Sequence, residues 1–384
     1  MRPLSRVRVL DLTNMPPWSY ATLLLAELGA EVIKIEQPGV GDTTRKLAIR
    51  GDVSILHLIV NRGKKSIAIN LKSKAGRDIF YRLCQVSDIV IIGFNPSTTR
   101  RLGIDYESIR KLNERIIYCS ISAFGYGGKY SGLSAHDINI MALTGALGMM
   151  KQENGRPIVP GVLLADFATA LTAVLGILSA LLERQVSGRG KQLDITMFES
   201  VFPFISLFIA EYLASGKVPR GGEHVLMGGL PCYNVYETKD GRYITLGMPL
   251  EPHIWEKFCK TVGREDLIEK QYDSKATEEL RQLFRTKSLE EWVEILYSKV
   301  ECFAPVLELD EALKSELVAE RDIVFSKDYP NLGPVTILST PSCIRSEEIT
   351  AHAPELGEHT EEVLRMLGMG NEEITALKRE GAIM

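Results

Sequence analysis

Residues 7–36 read VRVLDLTNMPPWSYATLLLAELGAEVIKIE, and this stretch decides the fold class. Residues 7–11 (VRVLD) form a short β-branched run, and residues 20–28 carry a helical pattern that stops at Gly29. Residues 31–36 (EVIKIE) read as a second strand, broken by PGVGD. A strand, a helix and a strand in that order imply a crossover and therefore a parallel sheet. The first strand–helix turn, LTNMPPWSY, contains no glycine. A dinucleotide fingerprint needs glycine there so that the pyrophosphate can approach the backbone, which speaks against NAD or FAD.

The alternation continues outward from this opening. Basic residues precede an alternating strand in residues 62–71 (RGKKSIAINL), residues 74–84 are helical, and residues 89–92 (IVII) read as a buried strand. A short helix at 105–112, a strand at 116–122 and a glycine-rich loop at 124–132 follow, the loop leading to His136. Residues 131–200 then hold two apolar helical patterns with ionisable residues at their edges: His136 and Asp137 before one, Asp166 at the mouth of the other. That second run, 167–182, is interrupted by Thr169, Thr172 and Gly176 and falls short of the roughly 20 residues a membrane span needs, so it reads as a core helix. Beyond residue 221 the pattern changes. Residues 231–247 form two alternating runs around Lys239-Asp240-Gly241, a hairpin signal, and helical patterns follow at 252–262 and 289–299. Residues 334–339 are strand-like, and 358–367 and 371–380 helical.

Composition narrows the class. The chain has 384 residues, long for one core, so two domains are expected. A net charge of −4 gives no large positive field, which argues against a nucleic-acid partner. Arg62, Lys64, Lys65 and Lys72 still form a local basic cluster, readable as a solvated rim or as an anion site. The six cysteines include no CxxC pair, so neither a zinc site nor a disulfide framework is expected. The first residues lack a signal-peptide pattern and the last four, GAIM, lack a peroxisomal address, so a cytoplasmic protein without membrane attachment is expected.

Several residues have chemistry to offer. Asp166 reads either as an N-cap or as a base or nucleophile at the positive end of a helix, and spacing does not separate the two. His136 can take or give a proton near neutral pH, although a loop histidine is more often structural. Asp137 reads as the N-cap of a helix over 138–147. Glu251, in GMPLEPHIW, would ordinarily begin a solvated helix.

Taken together these segments resemble the type III CoA-transferase superfamily, and within it the α-methylacyl-CoA racemases. The resemblance covers nearly the whole chain: RVLDLT and YATLLLAELGAEVIKIEQPGVGDTTR, NRGKKSIAINLKSKAG, LLADFATALTAVLGILSALLERQVSGRGKQLD, APVLELDEAL and PELGEHTEEVLRMLG. AHDIN before ALTGALG, and the Glu251-Pro252 pair, are similar to the racemase pattern. Two places depart from it, FNPSTT where an N-F-R-P-G is usual and Ile140 where a tyrosine is often found.

The resemblance implies an α/β fold: a Rossmann-like large domain with a parallel sheet (1–200, completed by 325–384) and a smaller α+β domain (222–316), joined by linkers at 201–221 and 317–324. It implies an interlocked homodimer. It implies His136 and Asp166 as opposing proton carriers, with Glu251 backing His136, and Arg101, Leu102 and Lys65 toward CoA. The expected reaction interconverts (2R)- and (2S)-2-methylacyl-CoA through an enolate, in lipid metabolism, with neither metal nor separate cofactor, CoA being part of the substrate. The alternative is a formyl-CoA-type or other acyl CoA-transferase with Asp166 as nucleophile.

Overall fold

Six strands lie parallel in one sheet: β1 (Arg8–Leu12), β2 (Glu31–Glu36), β3 (Lys65–Ala68), β4 (Ile89–Ile92), β5 (Ile117–Ser122) and β6 (Gln192–Thr196). Their spatial order is β3-β2-β1-β4-β5-β6, every neighbouring pair parallel. The order reverses between β1 and β4, and in such open sheets ligands bind outside the carboxyl ends of the strands. The structure, a computed structural model, describes residues 2–151, 155–329, 332–341, 343–345 and 352–384.

Helices α1 (Pro16–Glu27), α2 (Ile55–Asn61), α3 (Lys74–Gln85), α4 (Pro96–Leu102), α5 (Asp137–Leu143) and α6 (Leu164–Ser187) carry the connections that matter for the site. The strands are buried on both faces, as their continuous apolar runs require. On one face Leu10, Ile33, Ile67 and Val90 pack with Phe80 and Leu83 of α3, and with Val363 and Ile374 of the helices Thr360–Met366 and Asn371–Arg379. On the other, Val9, Val32, Ile89 and Ile117 pack with Leu24 and Leu25 of α1 and with Ala170, Ala173 and Ile177 of α6. Both ends of the chain therefore contribute to one core.

By contact density the chain divides into two compact units. One contains Met1–Ile140, Val162–Phe202 and Glu316–Met384, the other Met141–Gly161 and Pro203–Ser315. The second unit has a three-stranded antiparallel sheet, with Tyr243–Gly247 between Tyr233–Glu237 and Phe303–Pro305. Its core is aromatic: Phe284 stacks on Tyr236 and meets Trp292 edge-on. The hairpin lies where the sequence predicts it.

The structure differs from the sequence pattern in several places, each with a physical reason. Helix α1 starts at Pro16, four residues before its periodic run, because prolines in the first turn forfeit only N–H groups that have no helical partner. The helix expected over 138–147 stops at Leu143, and Gly145, with φ of 85°, breaks it. Helix α6 has 24 residues and outruns the apolar stretch that suggested it. By length and composition, α6 and the segment Met197–Ser215 could each cross a membrane. In α6 one side is buried on the sheet while Leu171, Leu175, Leu182 and Val186 form an exposed apolar stripe.

Under the carboxyl edge of β1 and β2 lies a buried ionic network. Asp11 of β1 and Lys34 of β2 are both fully enclosed, 3.6 Å apart, and Lys34 reaches Asp42 at 2.5 Å. Lys64 donates to Asp11 at 3.2 Å and to Asn61 and Thr22 at 2.7 Å each. The Thr13 and Thr22 hydroxyls donate to the Asp11 carboxylate at 2.6 and 2.7 Å. Arg62, buried as well, donates to Glu27 at 3.0 Å. Arg62 and Lys64 are therefore neither a solvated rim nor an open anion site, correcting both readings of the basic cluster for these two residues. Replacing Asp11 by alanine leaves two buried ammonium groups sharing one carboxylate, a loss of about 3–5 kcal/mol on the usual cost of breaking a buried pair. Urea unfolding of Asp11→Ala measures it, and a change below about 1 kcal/mol would show that the network is not a structural keystone.

Candidate active site

Chain direction places the chemistry at the carboxyl edge of the sheet. Helix α6 runs back to feed β6, so its first turn lies at that edge beside the carboxyl end of β5. From β5 the chain passes through the glycine-rich loop to His136, directly before α5. His136 is exposed; its backbone N–H donates to Asn139 Oδ1 at 3.0 Å, and its carbonyl accepts from the Asn139 N–H at 2.9 Å.

Asp137 takes a different part from the one its sequence position suggests. It is buried, is itself the first residue of α5, and its Oδ2 accepts the backbone N–H of Asp166 at 3.2 Å. Its carboxylate thus satisfies one unpaired donor of α6, a helix that begins 27 residues later. Nothing local in the sequence signals this.

Asp166 is the third residue of α6, inside the helix rather than at its cap. Leu163 occupies the cap and offers no side-chain hydrogen bond to the first turn. Half-buried, Asp166 has a pKa raised to about 6: burial contributes most, the Asp137 charge adds to it, and His136 opposes it. The structure therefore brings His136, Asp137 and Asp166 within one electrostatic neighbourhood. A carboxyl group of that pKa beside an imidazole can hold or release a proton near neutrality.

The other candidates lie elsewhere. Arg101 is exposed in the last turn of α4, and Leu102 packs against the core, before Gly103 closes the helix with φ of 71°. Helix α4 follows β4, so both residues belong to a connection leaving the carboxyl edge. Lys65 opens β3 at the amino edge, where its ammonium donates to Glu31 at 2.9 Å and Glu362 at 2.8 Å. The structure does not bring it to His136 and Asp166. Glu251, in the second unit, precedes the helix Pro252–Thr261, and its carboxylate accepts the Leu250 N–H at 3.0 Å. The nearby Cys232 thiol is pushed up to about 11, by burial first and by the Glu251 charge as well.

Comparison with known proteins defines the class. The model of CoA-transferase family III matches residues 4–360. The chain is 31% identical to the human α-methylacyl-CoA racemase, covering 99% of this chain and 97% of that protein. It is also 31% identical to human succinyl-CoA:glutarate CoA-transferase, covering 95% of this chain and 86% of that one. A crystal structure of a CAIB/BAIF family protein from Brucella suis superposes with a TM-score of 0.81 at 26% identity, covering 95% and 99% of the two chains. The protein belongs to CoA-transferase family III. At that level it is an enzyme acting on acyl-CoA thioesters, and equal identity to a racemase and to a transferase leaves the reaction to the site.

Asp166 should impose a deprotonation limb near pH 6 on any step that uses it as base or nucleophile. Asp137→Asn keeps an oxygen for the Asp166 N–H but removes the neighbouring charge, so the ionised form of Asp166 is penalised less and its pKa falls. A 13C NMR titration of the Asp166 carboxyl group reads this directly. An unchanged or raised value would mean that Asp137 does not set the proton affinity of Asp166.

Proposed function

We propose that the protein is a racemase of 2-methylacyl-CoA thioesters. One observation carries the reading: a carboxyl group raised to about 6 at the start of a long helix, within the electrostatic reach of a histidine at the start of the next wall. Removing the weakly acidic proton α to a thioester needs an aligned base and a stabilised enolate oxygen. Inversion further needs a donor on the opposite face. His136 and Asp166 supply base and acid, exchanging roles with the direction of reaction. Of the first-turn N–H groups of α6, that of Asp166 is taken by Asp137 and that of Phe167 by the Leu163 carbonyl; those of Leu164 and Ala165 suit the developing enolate charge.

CoA is the handle whose remote binding energy aligns the reacting carbon, and the reaction as proposed draws on no further cofactor. Arg101 and Leu102 contribute to holding it. The active form is a homodimer in which Glu251 of one subunit backs His136 of the other, and the exposed apolar stripe of α6 supports an assembled state. Under this reading the enzyme serves lipid metabolism.

Transferase chemistry is the second reading, favoured by the 31% identity to succinyl-CoA:glutarate CoA-transferase. There Asp166 attacks the thioester carbonyl, forms an aspartyl anhydride and expels CoA thiolate. The two readings part in heavy water. Wild-type protein should wash deuterium into the α-position of a 2-methylacyl-CoA, and His136→Ala should lose roughly 10²–10⁴-fold of that rate, the usual worth of a general acid–base group. Exchange that is absent in wild type, together with hydroxylamine-trappable acyl or CoA adducts on Asp166, would make the protein a transferase instead.

A further inference from the structure

At the amino edge of the sheet, away from the first turn of α6, two turns enclose a hollow of about 250 Å³. Its wall is Tyr106, Arg110, Lys111, Glu114, Arg189 and Gly190, all within the first compact unit. Tyr106 and Arg110 belong to the helix Tyr106–Arg110, and Glu114 to the turn that enters β5. Arg189 and Gly190 belong to the turn between α6 and β6. The 24 residues of α6, about 36 Å of helix, separate that turn from the Asp166 end.

The two turns hold each other in place. The Gly190 N–H donates to the Glu114 carbonyl at 2.9 Å, and Arg115 Nη1 donates to the Gly188 carbonyl at 2.9 Å. A Cβ at Gly190 would lie 1.9 Å from the Ile116 carbonyl oxygen, so only glycine lets the turns meet. Asn113 Nδ2 donates to the Cys84 and Ser87 carbonyls at 3.0 and 2.9 Å and ties the first turn to the end of α3. The backbone that carries Lys111 and Arg189 is therefore set before any ligand arrives, which spares a ligand the cost of ordering it.

Charge on this wall is unbalanced. It carries three cations and one carboxylate, and only Arg110 among the cations has an ionic partner, Glu107 at 3.0 Å. The Lys111 and Arg189 side chains have no hydrogen-bonding or ionic partner among the described residues. A cation just past a helix end offsets the helix dipole and is ordinary by itself. Here the ends of two helices bring their cations to one hollow, where mutual repulsion disfavours the arrangement until an anion enters. Arginine forks and a lysine point charge together suit phosphate. The volume falls below the roughly 300–1,000 Å³ of drug-sized pockets, so the ligand is small.

We propose that this hollow binds a small phosphate monoester, with Lys111 and Arg189 holding the phosphate dianion and Tyr106 receiving the ester's organic group. The site is separate from the reacting thioester and holds whether the enzyme inverts or transfers.

Titration calorimetry of the full-length protein with phenyl phosphate, at about pH 7.5 where the ester is a dianion, tests it. Binding should saturate with a Kd at or below about 1 mM. Lys111→Gln and Arg189→Gln, at exposed positions, should each weaken it about tenfold without changing the melting temperature of the unliganded protein. Glu114→Gln keeps the backbone bond to Gly190 and removes the like charge, so it should tighten binding severalfold. Lys191→Gln, off the wall and paired with Glu183, should leave Kd unchanged. Succinate, a dianion without phosphate, should bind at least about tenfold more weakly. As pH falls through about 6 the ester takes its second proton, and affinity should fall with it.

Absence of saturable binding, or equal weakening by Lys191→Gln and Arg189→Gln, would reduce the hollow to general surface charge and overturn the proposal. So would phenyl phosphate that saturating CoA displaces and Arg189→Gln does not affect, since the ester would then occupy the thioester site. Succinate that matches phenyl phosphate would overturn the assignment of phosphate.

Discussion

The carboxylate of Asp11, buried and shared between two lysines, is the constraint on which the first unit depends. It ties β1 to β2 through Lys34, to α1 through Thr22 and to the end of α2 through Lys64. Lys34 extends the tie to Asp42, whose carboxylate also accepts the Thr44 N–H at 2.7 Å and so begins the next turn. Two cations and two carboxylates balance, which makes their removal from water tolerable. Burial works against ionising Asp11, but Lys34, Lys64 and the two threonine hydroxyls outweigh it and hold the pKa far below the carboxylate range. Lys64 shows the opposite balance: burial lowers it to about 8 and the Asp11 charge recovers only part of the loss. Because the folded pKa of Asp11 is depressed, its contribution is complete above the ordinary carboxylate pKa and is lost as pH falls through the folded value.

The same sheet edge carries a second aspartate with the reverse physics. Asp166 lies at the positive end of a helix, which by itself favours its ionised form. Burial and the Asp137 charge outweigh this together with the opposing His136, and the pKa moves up rather than down. One residue type thus has two tasks, set by its neighbours: Asp11 is held permanently charged as a fastener, and Asp166 is poised to change its proton. Environments that drive like groups apart in pKa are how a site acquires acid–base chemistry at neutral pH.

What could be read in the sequence follows from how local each determinant is. The crossover at 7–36, the hairpin at 231–247 and the apolar run of α6 depend on periodicity within a few residues, and the structure contains all three. Arg62 and Lys64 looked like a surface cluster because their partners, Glu27 and Asp11, lie 35 and 53 residues away in sequence. Asp137 looked like an ordinary cap for the same reason, its bond to Asp166 spanning 29 residues. Helix α2, ILHLIVN, escaped because seven mostly apolar residues carry no decisive period; Ser54, whose hydroxyl oxygen accepts the His57 N–H at 3.0 Å, starts it. The resemblance to a family supplied what spacing could not, the proposed pairing of His136 with Asp166.

That pairing has a mechanical basis in Asp137. A proton carrier on each face of one carbon works only if the separation of the two carriers is fixed, since a misplacement of about 1 Å can cost a hundredfold in rate. Among the described residues no strand lies between His136 and Asp166 in the chain, and no side-chain bond joins them directly. Asp137 closes that gap. It follows His136 in the chain and accepts the N–H of Asp166, so the start of α5 is clamped to the start of α6 by a single buried carboxylate. The clamp also supplies the charge that helps raise Asp166 to about 6. One residue therefore bears on both geometry and proton affinity, with burial the larger influence on the latter. The clamp fixes the segment that carries His136 against Asp166, which is the geometry the proposed inversion requires.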